Sequence, residues 1–300
     1  MALIFNNKDV PHKRFKVQDS LFNKKLSSEK NKISNRILNK ILLLPIGIII
    51  FIYLAIVILP VTTMIRYSGV DNILAMFYIK DNISSVILTF YTSSISLLMT
   101  FIFGTTIAFY LRTIKNKNLS KLISILIELP IVLPPAAVGV ALLLTFGNNG
   151  FVGRLLNQIG IEIVFTPMAV ILAQFFVSSA FYVKVLNNSI NDIPKEIFEI
   201  TYVLGAGRVE TVFRVIIPML KRAIISGLIL SFIRSIGEFG ATLMFAGNIL
   251  NATRTIPLQI YTYMQTDIKM ATSFATILYI LSFLLLFSVR VFLKDEGEIL

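Results

Sequence analysis

Cysteine is absent from the 300-residue sequence, and histidine occurs only once, as His12 in a polar N-terminal stretch. The absence of cysteine excludes disulfides, thiol chemistry and cysteine-based metal sites. Because the single histidine lies in a polar tail, we predict no serine-histidine-aspartate triad. The sequence also lacks a Gly-x-x-x-x-Gly-Lys-[Ser/Thr] phosphate loop. We therefore expect a non-catalytic chain that itself binds no metal, no ATP and no other cofactor.

Charged residues are also scarce. They make up 15% of the chain, hydrophobic residues make up 56%, and the mean hydropathy is +0.81. Soluble domains of this size carry more charge, so the composition predicts an integral membrane protein in contact with lipid. The net charge is +12, but the basic residues flank apolar runs, which is typical of membrane orientation signals. A nucleic-acid partner is therefore not expected.

Six apolar runs alternate with polar loops, and each is close to the about 20 residues that a spanning helix needs. The runs cover residues 41–64, 84–111, 122–146, 167–186, 223–246 and 270–293. The predicted fold is therefore all-α, an integral membrane protein with six transmembrane helices. We expect residues 1–40 to form a basic tail, 41–64 the first transmembrane helix and 84–293 the core of the membrane bundle.

The basic residues also indicate the orientation of the chain. The tail, the 112–121 loop and the 187–222 loop are rich in lysine and arginine. Positively charged loops stay on the cytoplasmic side of a membrane. The prediction is a multi-pass protein of the cell membrane with both termini in the cytoplasm.

The loop 187–222 carries a helix pattern instead of a linker composition. Asp192 and Pro194 are typical of a helix start, and Gly205 is typical of a helix end. Between them an apolar stripe recurs at helical spacing, formed by Ile197, Ile200, Thr201 and Leu204. Such a stripe either packs on the protein's own helix ends or the lipid interface, or docks into a groove of a partner.

The stretch EIFEITYVLGAGRVETVFRVIIPML resembles the coupling loop of ABC-transporter permease subunits. Glu199, Gly205 and Pro218 match the family pattern, whereas Ile200 and Thr201 stand where that pattern has two alanines. In the family this helix fits a cleft on the ATPase subunit and transmits its closure to the membrane helices. The resemblance implies that the docking residues are Ile197, Glu199, Ile200, Thr201, Leu204, Gly205 and Ala206.

Three further stretches are similar to the molybdate/tungstate branch of these permeases, which is related to the sulfate branch. They are GEFGATLMFAGN, ELPIVLPPAAVGVALLLTFGNNGFVGRLL and TIPLQIYTYMQ, and with the coupling loop they extend the resemblance over residues 84–290. The resemblance implies the type I ABC importer fold. It also implies a permease subunit that moves molybdate or tungstate oxyanion into the cytoplasm by alternating access.

The implied partners are a second copy of the chain in a homodimer, two ATP-binding cassette subunits that hold ATP and Mg²⁺, and an extracytoplasmic oxyanion-binding protein. A sulfate or thiosulfate permease of the same architecture stays open as an alternative. An ion-coupled secondary transporter is a second alternative, because such proteins hold ionisable residues at the midplane. A membrane-anchored signalling protein is disfavoured, because no sizeable soluble segment is apparent.

Two charged residues interrupt the fifth apolar run. Arg234 and Glu238 are four residues apart and share a helix face. A lone charge at mid-membrane costs about 3 kcal/mol or more, so we expect a mutual pair or a partner on another span, with Glu128 as the candidate partner of Arg234. The cluster is either a structural clamp or part of the conducting path. The clamp is favoured, because a glutamate beside the path would repel an oxyanion.

An anion path needs hydroxyl or amide donors and few exposed carboxylates. The predicted path residues are Thr89, Thr92, Ser93, Ser96, Thr145, Ser231 and Thr242. Alternatively, these hydroxyls bond their own helix backbone, and Ser231 belongs to a small-residue stripe that lets another helix approach. Pro130, Pro134 and Pro135 interrupt the helical hydrogen bonds of the third span, which predicts a bend near the gate.

Overall fold

The computed structural model describes residue 43 and residues 45–294, and every regular element in them is helical. The predicted basic tail 1–40 lies outside the described residues. The chain divides into two units, residues 1–63 and 64–300. Helix α1 (Pro45–Ser68) begins in the first unit and ends in the second, and its mean hydropathy of 2.8 suits a membrane span.

The second unit contains three long helices with segments apolar enough to cross a membrane: α3 (Lys80–Thr113), α7 (Pro167–Asp192) and α14 (Ile268–Lys294). Two further helix pairs are bent. α4 (Lys117–Val132) and α5 (Pro135–Phe146) meet at 112°, and the segment Val209–Met219 meets α11 (Lys221–Ile236) at 67°. With each bent pair counted as one span, the described residues contain up to six spans. The predicted all-helical membrane fold is confirmed.

Shorter helices connect the spans. They are α2 (Val70–Ala75), α6 (Phe151–Asn157), α8 (Lys195–Val203), α9 (Arg208–Thr211), α10 (Ile217–Met219), α12 (Gly240–Ala246) and α13 (Ile256–Met264), with a 3₁₀ turn at Met76–Tyr78 and a π-helical turn at Val212–Ile216. The fifth apolar run, 223–246, is therefore not one helix, because it breaks between α11 and α12 at residues 237–239.

Prolines cause the break between α4 and α5. Leu133 and Pro134 are extended, with ψ of 138° and 129°, and Pro135 opens α5. Proline offers no N–H for the helical hydrogen bonds and pushes the preceding residue out of the helical region, but it is tolerated in the first turn of a helix. The predicted bend is present, while Pro130 lies inside α4.

The packing core of the second unit is formed by α3, α7 and α11. Tyr182 of α7 is fully buried between Gly104 of α3 and Gly227 of α11. A Cβ at Gly104 would lie 2.7 Å from the tyrosine ring, and one at Gly227 would lie 3.0 Å from it. The Tyr182 hydroxyl is 2.7 Å from Thr105 Oγ1, so its polar end is satisfied inside the core. The two glycines therefore determine how closely the three helices approach.

The half-helices α5 and α12 also pack together, and both contact α7. A Cβ at Gly139 would lie 2.6 Å from the Ala241 carbonyl oxygen, and one at Gly240 would lie 3.0 Å from Pro135 Cβ. These close contacts join α5 and α12 next to the break that precedes each of them.

Candidate functional site

Helix α8, the predicted coupling helix, has ends that follow from its local sequence. It begins at Lys195, directly after Pro194, and the chain then turns at Gly205, whose φ is +83°. The Gly205 N–H donates to Tyr202 O and the Ala206 N–H donates to Thr201 O, both at 3.0 Å. This is a Schellman motif, in which glycine avoids the Cβ clash of the left-handed conformation.

One face of α8 is held against the rest of the chain. Ile197 and Phe198 pack on a buried cluster that includes Ile216. Thr201 is 7% exposed, and its hydroxyl donates to Phe198 O at 2.9 Å and accepts from the Thr211 hydroxyl at 3.2 Å. Thr201 therefore faces this chain, and Ile197 is half-buried against it.

The other edge of the apolar stripe of α8 is exposed. Of the predicted docking residues, Ile200 and Leu204 are 57% and 79% exposed. Glu199 and Gly205 are also exposed, and Ala206 is half-buried. The predicted stripe divides in this way because an apolar face about 100° wide is broad enough for one edge to face the bundle and the other to face outward.

Exposed apolar side chains extend beyond the predicted stripe. We call the following six residues the coupling patch: Ile200, Tyr202, Val203, Leu204, Val209 and Phe213. Four of them lie outside the predicted docking set. The run of large apolar residues at 202–204 is the signal for Tyr202 and Val203, because consecutive residues of a helix point in different directions. Val209 and Phe213 lie four residues apart in the second helical pattern of the loop. Clustered exposed apolar side chains mark interaction sites.

Arg112 links α8 to the end of α3. Its Nη2 donates to Ile193 O at 3.0 Å, and its guanidinium lies 4.5 Å from the centroid of the Phe198 ring. The two helices also line a groove of about 840 Å³, with Tyr110 on α3 and Tyr202 on α8. Nothing in the local sequence distinguishes Arg112 from the other basic residues of the 112–121 loop.

Arg234 and Glu238 form an ion pair at the break between α11 and α12. Arg234 Nη1 lies 2.8 Å from Glu238 Oε2, and Glu238 is 1% exposed. The other carboxylate oxygen, Oε1, accepts the N–H of Ala241 at 2.8 Å, in the first turn of α12. The carboxylate thus joins the end of one half-helix to the start of the next, with Arg234 as its counter-ion. This geometry is that of a structural clamp.

Glu128 pairs with a different residue from the one predicted. Its Oε2 lies 3.0 Å from Lys184 Nζ, which joins α4 to α7. Because α4 packs along α7, Lys184 is the basic residue within its reach. The predicted pairing of Glu128 with Arg234 is therefore wrong. Lys184 lies within the fourth apolar run and carries no spacing signal toward Glu128.

The predicted path residues lie mostly inside the helix bundle. Fully buried are Thr89, Thr92, Ser93, Ser96, Ser231 and Thr242, whereas Thr145 is exposed. The hydroxyls of Thr89, Thr92 and Thr145 donate to carbonyls of their own helices at 2.7–2.9 Å. Ser231 donates to Ser178 O of α7 at 3.0 Å. Hydrogen bonds within and between helices therefore account for these four hydroxyls.

A second group of buried polar side chains has no hydrogen-bond partner within residues 45–294. It includes Ser93, Ser96 and Thr100 of α3, Gln174 of α7 and Thr242 of α12. Unpaired buried polar groups are costly, and they are an exception in native structures. A role of the predicted hydroxyls in an anion path stays a prediction.

Residues 101–295 match the family described as binding-protein-dependent transport system inner membrane component. The chain belongs to this family. It is a permease subunit of an ABC importer and a multi-pass protein of the plasma membrane. The matched region contains both the predicted coupling helix α8 and the break at Glu238.

Several named proteins are similar to the permease. It is 59% identical over 245 residues to the probable transport system permease protein NifC of Clostridium pasteurianum, covering 82% of this chain and 86% of that protein. It is 36% identical over 206 residues to the molybdenum transport system permease protein ModB of Mycobacterium tuberculosis, covering 69% and 78%. It is 35% identical over 178 residues to the sulfate transport system permease protein CysT of Salmonella typhimurium, covering 59% and 64%.

Solved structures share the fold of the permease. A bacterial ABC transporter involved in the import of the acidic polysaccharide alginate matches with a TM-score of 0.68 at 16% identity, over 89% of this chain and 100% of that chain. The inward-facing MetNI methionine ABC transporter matches with a TM-score of 0.57 at 17% identity, over 71% and 94%. At these identities the likeness concerns the fold alone.

Proposed function

We propose that this permease carries molybdate or tungstate oxyanion into the cytoplasm. It would do so as a homodimer, with two ATPase subunits and an extracytoplasmic oxyanion-binding protein. The observation that carries the proposal of an ATPase partner is the coupling patch, six apolar side chains exposed in the loop predicted to be cytoplasmic. Burying apolar surface is worth about 25 cal/mol per Å², so this patch favours contact with a second protein.

Movement of an ATPase subunit would reach the membrane through α8. The Thr201–Thr211 hydrogen bond and the contacts of Arg112 hold α8 to its neighbours. When ATP closes the ATPase subunits, α8 and the end of α3 would move together, and α3 packs on α7 and α11. ATP and Mg²⁺ stay on the partner subunits, and this chain supplies the docking helix and the membrane path.

Two observations support molybdate or tungstate as the cargo. The stretch GEFGATLMFAGN resembles that branch of the family, and a relative at 36% identity is named for molybdenum transport. Sulfate is the second candidate, because a sulfate permease is 35% identical. The name of the relative at 59% identity states no substrate. All these cargoes are tetrahedral dianions, so the binding protein would make most of the selection.

The test is uptake into vesicles that contain the permease, its ATPase subunits and its binding protein. We expect ATP-dependent uptake of molybdate or tungstate that continues after the proton gradient is collapsed. Faster uptake of sulfate than of molybdate would favour the second candidate. Uptake that stops with the gradient and ignores ATP would contradict the proposed mechanism.

A further inference from the structure

The loop 247–255, between α12 and α13, is not helical but is firmly structured. Ile249 O accepts the N–H groups of Ala252, Thr253 and Arg254 at 2.9–3.2 Å. The Thr253 hydroxyl accepts the Ile249 N–H at 2.9 Å and donates to Gly247 O at 3.3 Å. The loop therefore satisfies much of its own backbone and holds its side chains in fixed positions.

This loop leads into a contact with the apolar run of α3. The Ile256 N–H, at the start of α13, donates to Thr89 Oγ1 at 2.8 Å, and Thr89 belongs to the apolar run 84–111. Non-helical backbone at membrane depth is tolerated where it is buried in protein or lines a water-filled cavity. Thr253 and Thr255 are buried, whereas Arg254 between them is half-exposed. Arg254 is therefore partly accessible, unlike the two threonines beside it.

Arg254 has no ion pair within the described part of the chain. Its Nε donates to Asn248 Oδ1 at 2.9 Å, and its Nη2 reaches Asn248 O at 3.5 Å. Asn248 is itself held, because its Nδ2 donates to the Thr262 hydroxyl at 2.9 Å. These contacts orient the guanidinium but use neutral acceptors. The positive charge therefore stays uncompensated, in contrast to that of Arg234, which Glu238 neutralises.

An unpaired charge at membrane depth is costly, and such residues line substrate or ion pathways. A planar guanidinium held in one orientation suits the oxygens of an oxyanion, because it can donate two parallel hydrogen bonds. The adjacent Thr255 adds a buried hydroxyl that has no partner in residues 45–294.

We propose that Arg254, oriented by Asn248, binds the transported tetrahedral oxyanion in the part of the translocation path on the side predicted to be extracytoplasmic. This inference rests on the proposed function, because it takes an oxyanion as the cargo. Arg254 would receive the anion by direct hydrogen bonds, and Asn248 would act as the positioning residue.

The test compares variants of the complete complex in vesicles, with molybdate-loaded binding protein as the probe. Arg254→Gln removes the charge and keeps a polar side chain. We expect its maximal uptake rate to fall by at least about tenfold, because a charge-assisted hydrogen bond to the cargo is lost. The yield of the complex and the binding-protein concentration for half-maximal ATPase stimulation should not change. Arg154→Gln, at an exposed arginine of α6, is the matched control and should keep wild-type uptake.

Wild-type uptake by Arg254→Gln would overturn the proposal. So would a raised half-maximal concentration of binding protein with an unchanged maximal rate, because Arg254 would then contact that protein instead of the anion. If Arg254→Gln does not assemble, Arg254→Lys decides the question: a lowered maximal rate supports the proposal, and a wild-type rate overturns it. A wild-type complex that transports sulfate and no molybdate would overturn the proposed cargo, and the Arg254 comparison would then be made with sulfate.

Discussion

Glu238 illustrates, at the scale of a single residue, why an apolar run contains a carboxylate. Because α12 begins after a break in the fifth apolar run, its first N–H groups have no helical carbonyl to donate to. An unsatisfied buried N–H costs about 1–3 kcal/mol. Glu238 supplies the acceptor for Ala241, and Arg234 offsets the charge. The broken helix and the ion pair are therefore one structural feature.

Glu238→Gln tests this clamp. The glutamine keeps an oxygen for the Ala241 N–H but leaves Arg234 without its counter-ion. We expect the free energy of unfolding to fall by about 3 kcal/mol, measured by denaturation of the purified permease in detergent. Adding Arg234→Met removes the unpaired charge and should recover part of the loss. If Glu238→Gln is as stable as the wild type, the clamp is wrong.

At the scale of an element, α8 combines two faces with different tasks. Thr201 and Phe198 hold it to the chain, while the coupling patch is open to a partner. A helix that is packed on the bundle along one side and exposed along the other can bind a partner and stay attached to the bundle when that partner moves. The glycine that ends α8 is part of this arrangement, because it turns the chain sharply from α8 toward α9.

Gly205→Arg should uncouple the permease from its ATPase. A side chain at φ +83° costs about 1–2 kcal/mol locally, and arginine places bulk and charge beside the coupling patch. We expect normal membrane insertion and folding, together with loss of ATP-driven uptake. Gly160→Arg is the matched control, because Gly160 also has positive φ, +76°, and open space around it. Normal uptake with Gly205→Arg would count against docking through α8.

The contact of α3 with α7 makes a second prediction at this scale. Gly104→Ala places a Cβ 2.7 Å from the Tyr182 ring, and overpacking of this kind costs about 1–3 kcal/mol. We expect a lower thermal unfolding midpoint for Gly104→Ala. Gly207→Ala, where a Cβ meets nothing within 4 Å, should change the midpoint much less. Equal midpoints for the two variants would show that α3 and α7 can separate without cost.

At the scale of the whole molecule, the orientation of the chain determines which surface meets the ATPase. Because the chain has no cysteine, single introduced cysteines report their own accessibility. We expect Ile159→Cys, at a residue 68% exposed, to react with a membrane-impermeant maleimide in intact cells. Val203→Cys, at a residue 84% exposed, should react only after permeabilisation. The reverse labelling pattern would contradict the predicted orientation and place the coupling patch on the wrong side for an ATPase.

The fold class and the coupling helix were predictable from the sequence because local rules govern both. A membrane span needs about 20 apolar residues, and the apolar runs meet that requirement wherever they occur. Pro194 and Gly205 mark the ends of α8, because a proline is tolerated where a helix begins and a left-handed residue favours glycine. The prolines at 134 and 135 likewise place the bend between α4 and α5 without reference to any other helix.

The tertiary structure alone decided which charged side chains pair with each other and which apolar side chains stay exposed. Glu128 pairs with Lys184 because α4 packs along α7. Thr201 turns inward while Ile200 stays exposed, because the bundle lies under one edge of α8. Arg254 has a fixed orientation because its loop holds Asn248 beside it, and it has no counter-ion among the residues that the structure describes. Periodicity describes one helix at a time, whereas burial and charge pairing depend on which helices become neighbours.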